Sequence, residues 1–533
     1  IRWNARTLPP SDTERKYLGT RAAYSQRAYG VRDALQEPDS TVAFPDLAAL
    51  AGRVAVWDEA TLAATVEQGG RRREVVAPAG WRTGDDGRLE AVLAARESAA
   101  DADDGTRWVA AVASAAEAEP GTGLARVATH ALPRVLLQPD AAGYLIVDDP
   151  TRAVAAPPLR NGWQRLAHAL AVQNLRIFVD GRAPGQLRFV DHRGLRERVA
   201  LLAPVFRQAA RPTPLLLADS LYWVVQLYAT STTFPLSQPL AVRTDGSTSR
   251  ERVKYFRHAA TAVANAHTGR VSLYRAPDAE TLAASWMDRF PTLFRPWSEA
   301  PPSLRGAVPP PVEGVVAQAI TIATAGTAAT TAAVLRLPDR DQPADSTEAN
   351  AALVPFALPG SGTVAVALPL VERVDERLRV VVVGTGGASP RTVALPVAGP
   401  DAPWPALADS LRAALLAAGS PRAPATNVSG EQTVDDVRVL PVAGGAALLR
   451  TAYGAADDGP PALAAVALAT PDSLRAGASL AAALGVAPAP DSELPEDPAA
   501  LWRTMRDALR RADWRAFGEA FDRLGRVLGS GGG

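Results

Sequence analysis

The clearest periodicity of apolar positions lies between residues 161 and 275. It predicts helices at both ends of residues 161–206, where apolar side chains recur close to every 3.6 residues. These positions are Trp163, Leu166, Leu170, Val172 and Leu175, then Leu195, Val199, Leu202 and Phe206. Residues 214–218 and 221–228 are apolar runs on either side of Asp219–Ser220, which predicts a hairpin with a two-residue turn. Residues 253–275 form either a second hairpin, around Thr268–Gly269, or a helix followed by a strand, and we favour the hairpin.

Before this region the pattern is less regular. Residues 1–36 carry a partial apolar face and predict an N-terminal helical arm. Arg53–Trp57 predicts a short strand, and Asp58 would cap the helix that follows it. Arg134–Gln138 and Tyr144–Val147 predict two strands joined by a turn rich in Pro, Asp and Gly.

After residue 313 the sequence is rich in strand-forming runs, such as Val364–Leu368 and Leu378–Val383. Val315–Leu335 is uncharged, but its Ala and Thr content is too polar for a membrane-spanning helix, and its β-branched residues favour strands. The pentapeptide Leu-Pro-Val-Ala-Gly occurs at 395–399 and 440–444. Five residues are too few to establish a repeat.

Two proline-rich stretches, at Pro296–Val312 and Pro488–Pro498, predict domain boundaries. We therefore expect an α+β, mixed multi-domain soluble chain. Its parts would be an N-terminal α+β domain over residues 1–300, a β-rich α+β domain over 313–490, and a C-terminal helical hairpin over 499–528. The hairpin rests on two short amphipathic runs, with Asp513 as the expected cap of the second helix.

Composition excludes several classes of protein. The 533 residues contain no cysteine, which rules out disulfides, thiol catalysis and cysteine-bound metal centres. Lys+Arg and Asp+Glu are both 56, so the chain lacks the basic excess of a protein that coats nucleic acid. Basic charge is almost all Arg, with Lys16 and Lys254 the only lysines, and Ala is abundant. We interpret this bias as the codon usage of a GC-rich genome.

Motifs that carry chemistry are weak. The five histidines are not spaced as zinc ligands, and Gly384–Gly387 is better explained as a strand turn than as a dinucleotide loop. We therefore expect no cofactor, no metal and no catalytic set. If the chain were a hydrolase, Asp191–Arg193 or Asp288–Arg289 would line its cleft. Aromatic residues gather in Leu221–Tyr228 and Trp286–Trp297, as core packing or as a stacking or lipid-facing patch.

The segment Leu221–Ser231, LYWVVQLYATS, resembles the LYWI-D-AYT-S block of uncharacterised protein family 0182. Phe234–Ser237 resembles the YPYS block that follows in the family. Further blocks resemble the family in the same order: Val56–Asp58, Glu197–Val199, Ala203–Phe206, Tyr255–Arg257, Gly269–Val271, Tyr274, Phe290–Pro296, Asp513–Trp514 and Phe517–Gly518. The resemblance extends from about residue 14 to residue 528.

The chain departs from the family at acidic positions. The family has acids where this chain has Gln226, Asn265 and Thr268. If those acids bound an ion or acted on a substrate, this chain has lost that ability.

The family consists of large bacterial membrane proteins with several N-terminal transmembrane helices and a large domain outside the cytoplasm. The resemblance implies that this chain is such a domain, on the extracytoplasmic face of the membrane. We expect a non-enzymatic binding or structural module with a membrane or membrane-protein partner, no nucleic acid and an unknown ligand. The alternatives are an accessory subunit docked on a larger membrane complex and a hydrolase of envelope material.

Overall fold

The computed structural model describes most of the chain between residues 44 and 486. The described residues are 44, 46–68, 72–84, 86–98, 106–119, 123–148, 153–181, 185–233, 240–242, 251–279, 281–325, 335–338, 353–397, 400–418, 428–443, 445–456, 460–486, 501, 502, 505, 506, 521 and 524. The predicted arm over residues 1–36 and most of the predicted hairpin over 499–528 lie outside them.

Helices and sheets are mixed along the chain. The helices are α1 (Glu59–Gln68), α2 (Gly162–Ala171), α3 (Arg176–Val179), α4 (Leu195–Leu202), α5 (Thr281–Met287), α6 (Pro302–Ala307), α7 (Val312–Ala325), α8 (Trp404–Ala418) and α9 (Leu480–Leu484). Short 3₁₀ helices occupy Leu47–Leu50 and Trp297–Glu299. None of the helices in the described part of the chain is long and apolar enough to cross a membrane.

Among the described residues, the strands form four larger sheets and two ribbons. Sheet 1 contains β1 (Arg73–Val75), β2 (Gly80–Thr83), β3 (Leu89–Ser98), β4 (Thr106–Ala118) and β5 (Ala125–Ala131). Sheet 2 contains β8 (Arg207–Gln208), β9 (Thr213–Leu217), β10 (Ser220–Ser231), β13 (Tyr255–Asn265), β14 (Val271–Arg275) and β15 (Phe294–Arg295). Sheet 3 contains β16 (Leu335–Arg336), β17 (Val354–Ala357), β18 (Val364–Glu372), β19 (Leu378–Thr385) and β20 (Thr392–Pro396). Sheet 4 contains β21 (Val428–Val434), β22 (Arg438–Val442), β23 (Gly445–Ala456), β24 (Ala462–Ala469) and β25 (Leu474–Gly477). The ribbons are β6 (Leu145–Asp148) with β7 (Leu187–Val190), and β11 (Leu240–Val242) with β12 (Glu251–Val253).

The four sheets share one connectivity. In each, two short strands pair with the same edge of the first long strand, and a second long strand and a last strand follow antiparallel on its other side. The first short strand pairs with the C-terminal half of the long strand and the second with its N-terminal half, so together they form one broken edge strand. Sheet 2 has two additions. The β11–β12 ribbon lies between its two long strands in the sequence, and β15 pairs in parallel with β14.

One hydrogen bond marks equivalent positions at the break in three sheets. The residue after the first short strand donates its backbone N–H to the long strand: Val76 to the Ala94 carbonyl (3.0 Å), Ala209 to Gln226 (2.8 Å) and Asp435 to Thr451 (3.0 Å). A helix precedes the strands of each sheet, namely α1, α4, α7 and α8. The part of the chain that the structure describes is therefore a tandem of four units with the same topology.

The units pack face to face through shared apolar cores. One face of sheet 1 packs with sheets 3 and 4, and its other face packs with sheet 2 and α4. Helix α7 lies between sheets 2 and 3. The cores thus join residues from both sides of the break at Pro296–Val312, while the domain boundaries at 300 and 313 stay a prediction.

Several predicted elements are confirmed. Both hairpins of residues 214–275 form, with β9 on β10 and β13 on β14. Helices α2 and α4 occupy the two ends of residues 161–206. Asp58 caps α1, because its Oδ1 accepts from the Thr61 N–H at 2.7 Å. Gly384–Gly387 spans the end of β19 and the start of the turn to β20, as a strand turn requires.

Three predictions were wrong. Val315–Ala325 belongs to helix α7 instead of a strand, because tertiary packing between two sheets overrides its β-branched content. Of the predicted strand Arg134–Gln138, only Gln138 is paired, in an isolated bridge to Gly194. The second predicted strand does form as β6, but it pairs with β7. Arg53–Trp57 makes one isolated bridge, at Val54, instead of a strand. The recurring pentapeptide does not mark the units, since Leu395 lies in β20 and Leu440 in β22, which are different positions of the topology.

Candidate functional site

A cluster of polar side chains lies at the break of sheet 2. The Gln226 Oε1 accepts hydrogen bonds from the Thr261 hydroxyl and from the His258 Nε2, both at 2.8 Å. The Gln226 Nε2 donates to the Pro309 carbonyl at 3.0 Å. The amide of Gln226 therefore links both long strands of the sheet to the proline-rich connection before α7.

A β-bulge brings His258 and Thr261 to the same acceptor. Leu227 lies opposite Ala260 while Tyr228 lies opposite His258, so Ala259 is an extra residue in β13. In a regular strand, residues three apart point to opposite faces, and the bulge removes this restriction. The sequence of this strand contains no signal that we could have used to predict the bulge.

A second pair of contacts ties the same region to α7. The Tyr228 hydroxyl donates to the Glu313 Oε2 at 2.9 Å, and the Glu313 Oε1 accepts from the Ala210 N–H at 3.0 Å. Tyr228 also stacks on Phe256, with ring centroids 4.4 Å apart. The first turn of α7 is thus fixed to sheet 2 by a partly buried carboxylate contact.

Burial sets the charge states in this cluster. Burial of the His258 ring lowers its pKa to about 4, against the opposing effect of Asp278, so His258 is neutral at pH 7. Burial, together with Glu313, raises the pKa of Tyr228 well above its usual value. A neutral imidazole that donates to an amide oxygen orients both side chains. The cluster therefore holds the two long strands of sheet 2 and the connection before α7 together.

A comparable cluster lies at the break of sheet 4. Arg438 donates to the Ala55 carbonyl (3.1 Å) and to the Thr451 hydroxyl (2.8 Å), and Tyr453 donates to the Val56 carbonyl (2.6 Å). Burial raises the pKa of Tyr453 to about 12. These contacts fix the segment before α1 to sheet 4.

The residues predicted for a hydrolase occupy surface contacts. His192 holds Glu197 through its Nδ1 at 2.7 Å and faces Asp191 through its Nε2 at 3.4 Å. Asp288 binds Arg275 at 3.0 Å, and the Arg289 guanidinium lies 5.7 Å from the centre of the Trp286 ring. Each ring nitrogen of His192 thus faces a carboxylate on the protein surface. Within the described chain, no three His, Asp or Glu side chains converge as metal ligands would.

The two aromatic groups have different environments. Leu221, Trp223, Leu227 and Tyr228 are buried, so β10 is core and the lipid-facing alternative was wrong there. In the second group Trp297 is buried. Leu282, Trp286 and Phe290 are partly exposed along one side of α5 and the turn after it.

In the described part of the chain, five exposed apolar side chains lie close together in sequence on α2, on α3 and in the turn between them. We call this surface the α2–α3 face. It consists of Trp163 (79% exposed), Leu170 (63%), Leu175 (62%), Phe178 (45%) and Val179 (73%). Trp163 and Leu170 are seven residues apart and therefore on one side of α2. Apolar side chains this exposed and this close in sequence mark an interaction surface.

Local hydrogen bonds hold this face in place. The Asn161 Oδ1 accepts from the Gln164 N–H at 2.8 Å, which caps the start of α2. At its end, the Asn174 N–H donates to the Ala169 carbonyl at 2.8 Å around Gln173, whose φ is +53°. Arg165 donates to the Asp180 carbonyl at 2.6 Å and so closes α3 against α2.

A small core lies beneath the face. Ala169 and Ile177 pack with Leu187 and Phe189 of β7, and His168 stacks on Phe189 with ring centroids 4.2 Å apart. The face and this core lie between β5 and α4, outside the four repeated units. Sequence periodicity identified α2 but did not show that its apolar side would be left uncovered.

Comparison with known proteins identifies one part of the chain. Residues 153–318 match the family described as Uncharacterised protein family (UPF0182). Over these residues the chain is similar to UPF0182 proteins. The UPF0182 segment contains α2, α3, sheet 2 and the first half of α7, and therefore both the polar cluster of sheet 2 and the α2–α3 face.

The related proteins are distant and longer. A UPF0182 protein of Kocuria rhizophila is 27% identical over 154 residues, which cover 27% of this chain and 16% of that protein. UPF0182 proteins of Prochlorococcus marinus and of a Sulfurovum species are each 30% identical, over 161 and 152 residues, which cover 28% of this chain and 16% of each relative. No solved structure matches the chain.

The predicted resemblance is thus confirmed within residues 153–318. The blocks at Val56–Asp58 and Asp513–Gly518 lie outside the matched residues and stay a prediction. Gln226, where we noted an acid in the family, is the residue at the centre of the polar cluster.

Proposed function

We propose that this chain is a non-enzymatic binding or structural module of a cell-envelope membrane protein, on the extracytoplasmic face. The observation that carries the proposal is the α2–α3 face. It lies inside the UPF0182 segment, it is held by caps and by a core of its own, and it presents five apolar side chains to solvent. A surface built and fixed in this way supports binding.

The direct test is sedimentation with native envelopes. Purified chain is mixed with washed envelopes of Kocuria rhizophila, which has a UPF0182 protein of its own. We expect the chain to sediment with the envelopes at physiological salt. Recovery of the chain in the supernatant would overturn the proposal.

The location needs a separate measurement. In the source organism, protease added to intact spheroplasts should degrade this part of the protein while a cytoplasmic marker survives. Protection until the membrane is lysed would contradict the extracytoplasmic placement.

A second candidate is an accessory subunit docked on a membrane complex. It is supported by the apolar row of Leu282, Trp286 and Phe290, which resembles a protein-docking stripe of side chains one helical turn apart. Cross-linking in native membranes followed by pull-down should then recover a partner, and Trp286→Ser should reduce its yield. Recovery of the chain alone would contradict this candidate.

A further inference from the structure

The charge around the α2–α3 face is mainly basic. Residues 153–180 contain three arginines and one acid, Asp180, which lies at the end of α3. Arg160 and Arg176 are exposed at the start of α2 and of α3. Among the described residues, neither makes an ion pair.

The side chains of the face match those of helices that lie in a membrane interface. Such helices combine Trp, Phe and Leu on one side with arginine or lysine at the border, and their binding depends on apolar burial and on attraction to anionic lipid. Trp163 belongs to the residue type that concentrates at the level of the lipid headgroups. We infer that the α2–α3 face binds the surface of an anionic phospholipid bilayer, and this inference rests on the proposed function.

Charge also argues against a second copy of the chain as the occupant. A symmetric dimer through this face would place the same patch on both subunits, with Arg160 and Arg176 of one copy near those of the other. Arginines facing arginines repel, whereas phosphate headgroups attract them. The lipid surface is therefore the occupant that the charges favour.

The experiment measures partition of the full chain onto lipid vesicles. One set of vesicles is pure phosphatidylcholine, and the other is an equimolar mixture of phosphatidylcholine and phosphatidylglycerol. We expect binding to the anionic vesicles, and weakening at about 1 M salt, where the Debye length falls to about 3 Å. Equal binding to both sets would overturn the requirement for anionic lipid.

Variants of the face test whether it is the contact. Trp163→Ser combined with Leu170→Ser should lower the partition coefficient about a hundredfold, because each buried side chain contributes roughly tenfold. Trp502→Ser is the matched control, since Trp502 is also exposed (58%) but lies near the other end of the chain. Circular dichroism should show that both proteins remain folded. Equal loss in the control, or no loss in the double variant, would overturn the inference.

Charge variants test the second half of the argument. Arg160→Gln combined with Arg176→Gln should lower binding to anionic vesicles roughly twentyfold, at about fivefold for each arginine near the surface. Arg412→Gln, at an exposed position of α8, is the control and should have no effect. Unchanged binding of the double variant would overturn the role of charge.

The outcomes separate this inference from the proposed function. A chain that sediments with envelopes but not with anionic vesicles would overturn the lipid inference and leave the proposed function standing. Loss of envelope binding after protease treatment of the envelopes would assign the face to a protein partner. A dimer in solution that Trp163→Ser dissociates would assign it to a second copy. A chain that binds neither envelopes nor vesicles would overturn both proposals.

Discussion

Sheets 2 and 3 have the same topology, but different side chains lie at the break in their edge strands. In both, the break in the edge strand leaves backbone groups of the long strand without a partner strand. Sheet 2 places Gln226 there, inside a network of polar side chains. Sheet 3 places Pro369 there, between Leu368 and Leu370, in a buried apolar strand. The fold therefore requires the break to be covered but does not require the polar cluster.

Proline suits the break because it removes a donor. The Val364 carbonyl accepts from the Gly386 N–H on the side of β19. Backbone groups alternate sides along a strand, so position 369 points to the broken edge. A non-proline residue at this position would present an N–H to the gap. The polar cluster of sheet 2 is then an addition to the shared topology, as is the cluster of Arg438, Thr451 and Tyr453 at the break of sheet 4.

The largest expected effect tests the apolar packing of sheet 3. A Cβ atom added to Gly384 would lie 2.1 Å from the Val315 Cγ2 of α7, so the helix packs directly on the strand. We expect Gly384→Val to lower the free energy of unfolding by at least about 3 kcal/mol through overpacking. Urea denaturation measures it.

The control for this variant is Gly306→Ala in α6, where an added Cβ meets nothing within 4 Å. Alanine in a helix should leave stability equal or slightly higher. If Gly384→Val were as stable as the wild type, α7 would not be packed on sheet 3 as described, and the contrast between the two sheets would fail.

The second prediction concerns pH and the polar interior of sheet 2. Burial lowers the pKa of His258 from 6.5 to about 4 in the folded chain. Between these values the unfolded chain binds a proton that the folded chain does not, so stability falls as pH falls from about 6.5 to about 4. The loss attributable to His258 is up to about 3 kcal/mol.

Unfolding free energies of the wild type and of His258→Gln across this range measure the effect. The variant retains a side-chain amide donor but cannot titrate, so its stability should decline less steeply with falling pH. His267, whose pKa is also lowered by burial, is present in both proteins and cancels in the difference. Parallel curves for the two proteins would contradict a buried neutral His258.

The sequence permitted the prediction of the hairpins of sheet 2 and the cap at Asp58, because turn residues and caps act over a few residues. It did not reveal α7, since the fate of Val315–Ala325 depends on the two sheets that enclose it. The break in the edge strands could not be predicted either, because it depends on pairing between residues far apart in the chain. At the candidate site, sequence identified α2 but not the exposure of Trp163, which depends on what the rest of the chain leaves uncovered.

A smaller effect tests whether the network of sheet 2 acts as a unit. Gln226→Leu removes the acceptor of the Thr261 hydroxyl and of His258, and the donor to the Pro309 carbonyl. We expect a loss of about 2 kcal/mol from the unsatisfied partners. The double variant Gln226→Leu, Thr261→Val has an apolar pair at this position, as the interior of sheet 3 does. Its loss of unfolding free energy should be about 1 kcal/mol smaller than the sum of the losses of the two single variants.

A double-mutant cycle in urea provides this measurement. The control cycle pairs Gln226→Leu with Ser410→Ala on the exposed side of α8, and it should be additive. Strict additivity in the cycle of Gln226 and Thr261 would mean that the hydrogen bond between them contributes nothing to stability. The polar side chains of sheet 2 and the apolar side chains of sheet 3 would then not be interchangeable at the break.

The smallest effect concerns the proline of sheet 3. Pro369→Val would introduce a buried N–H that points to the broken edge, and we expect a loss of about 1 kcal/mol despite the better strand propensity of valine. Pro396→Val is the matched control, because Pro396 lies exposed on the edge strand β20 and a new N–H there would be solvated. Equal stability of the two variants in urea would indicate that Pro369 serves only as a spacer. A loss confined to Pro369→Val would establish donor removal as the apolar counterpart of the Gln226 network.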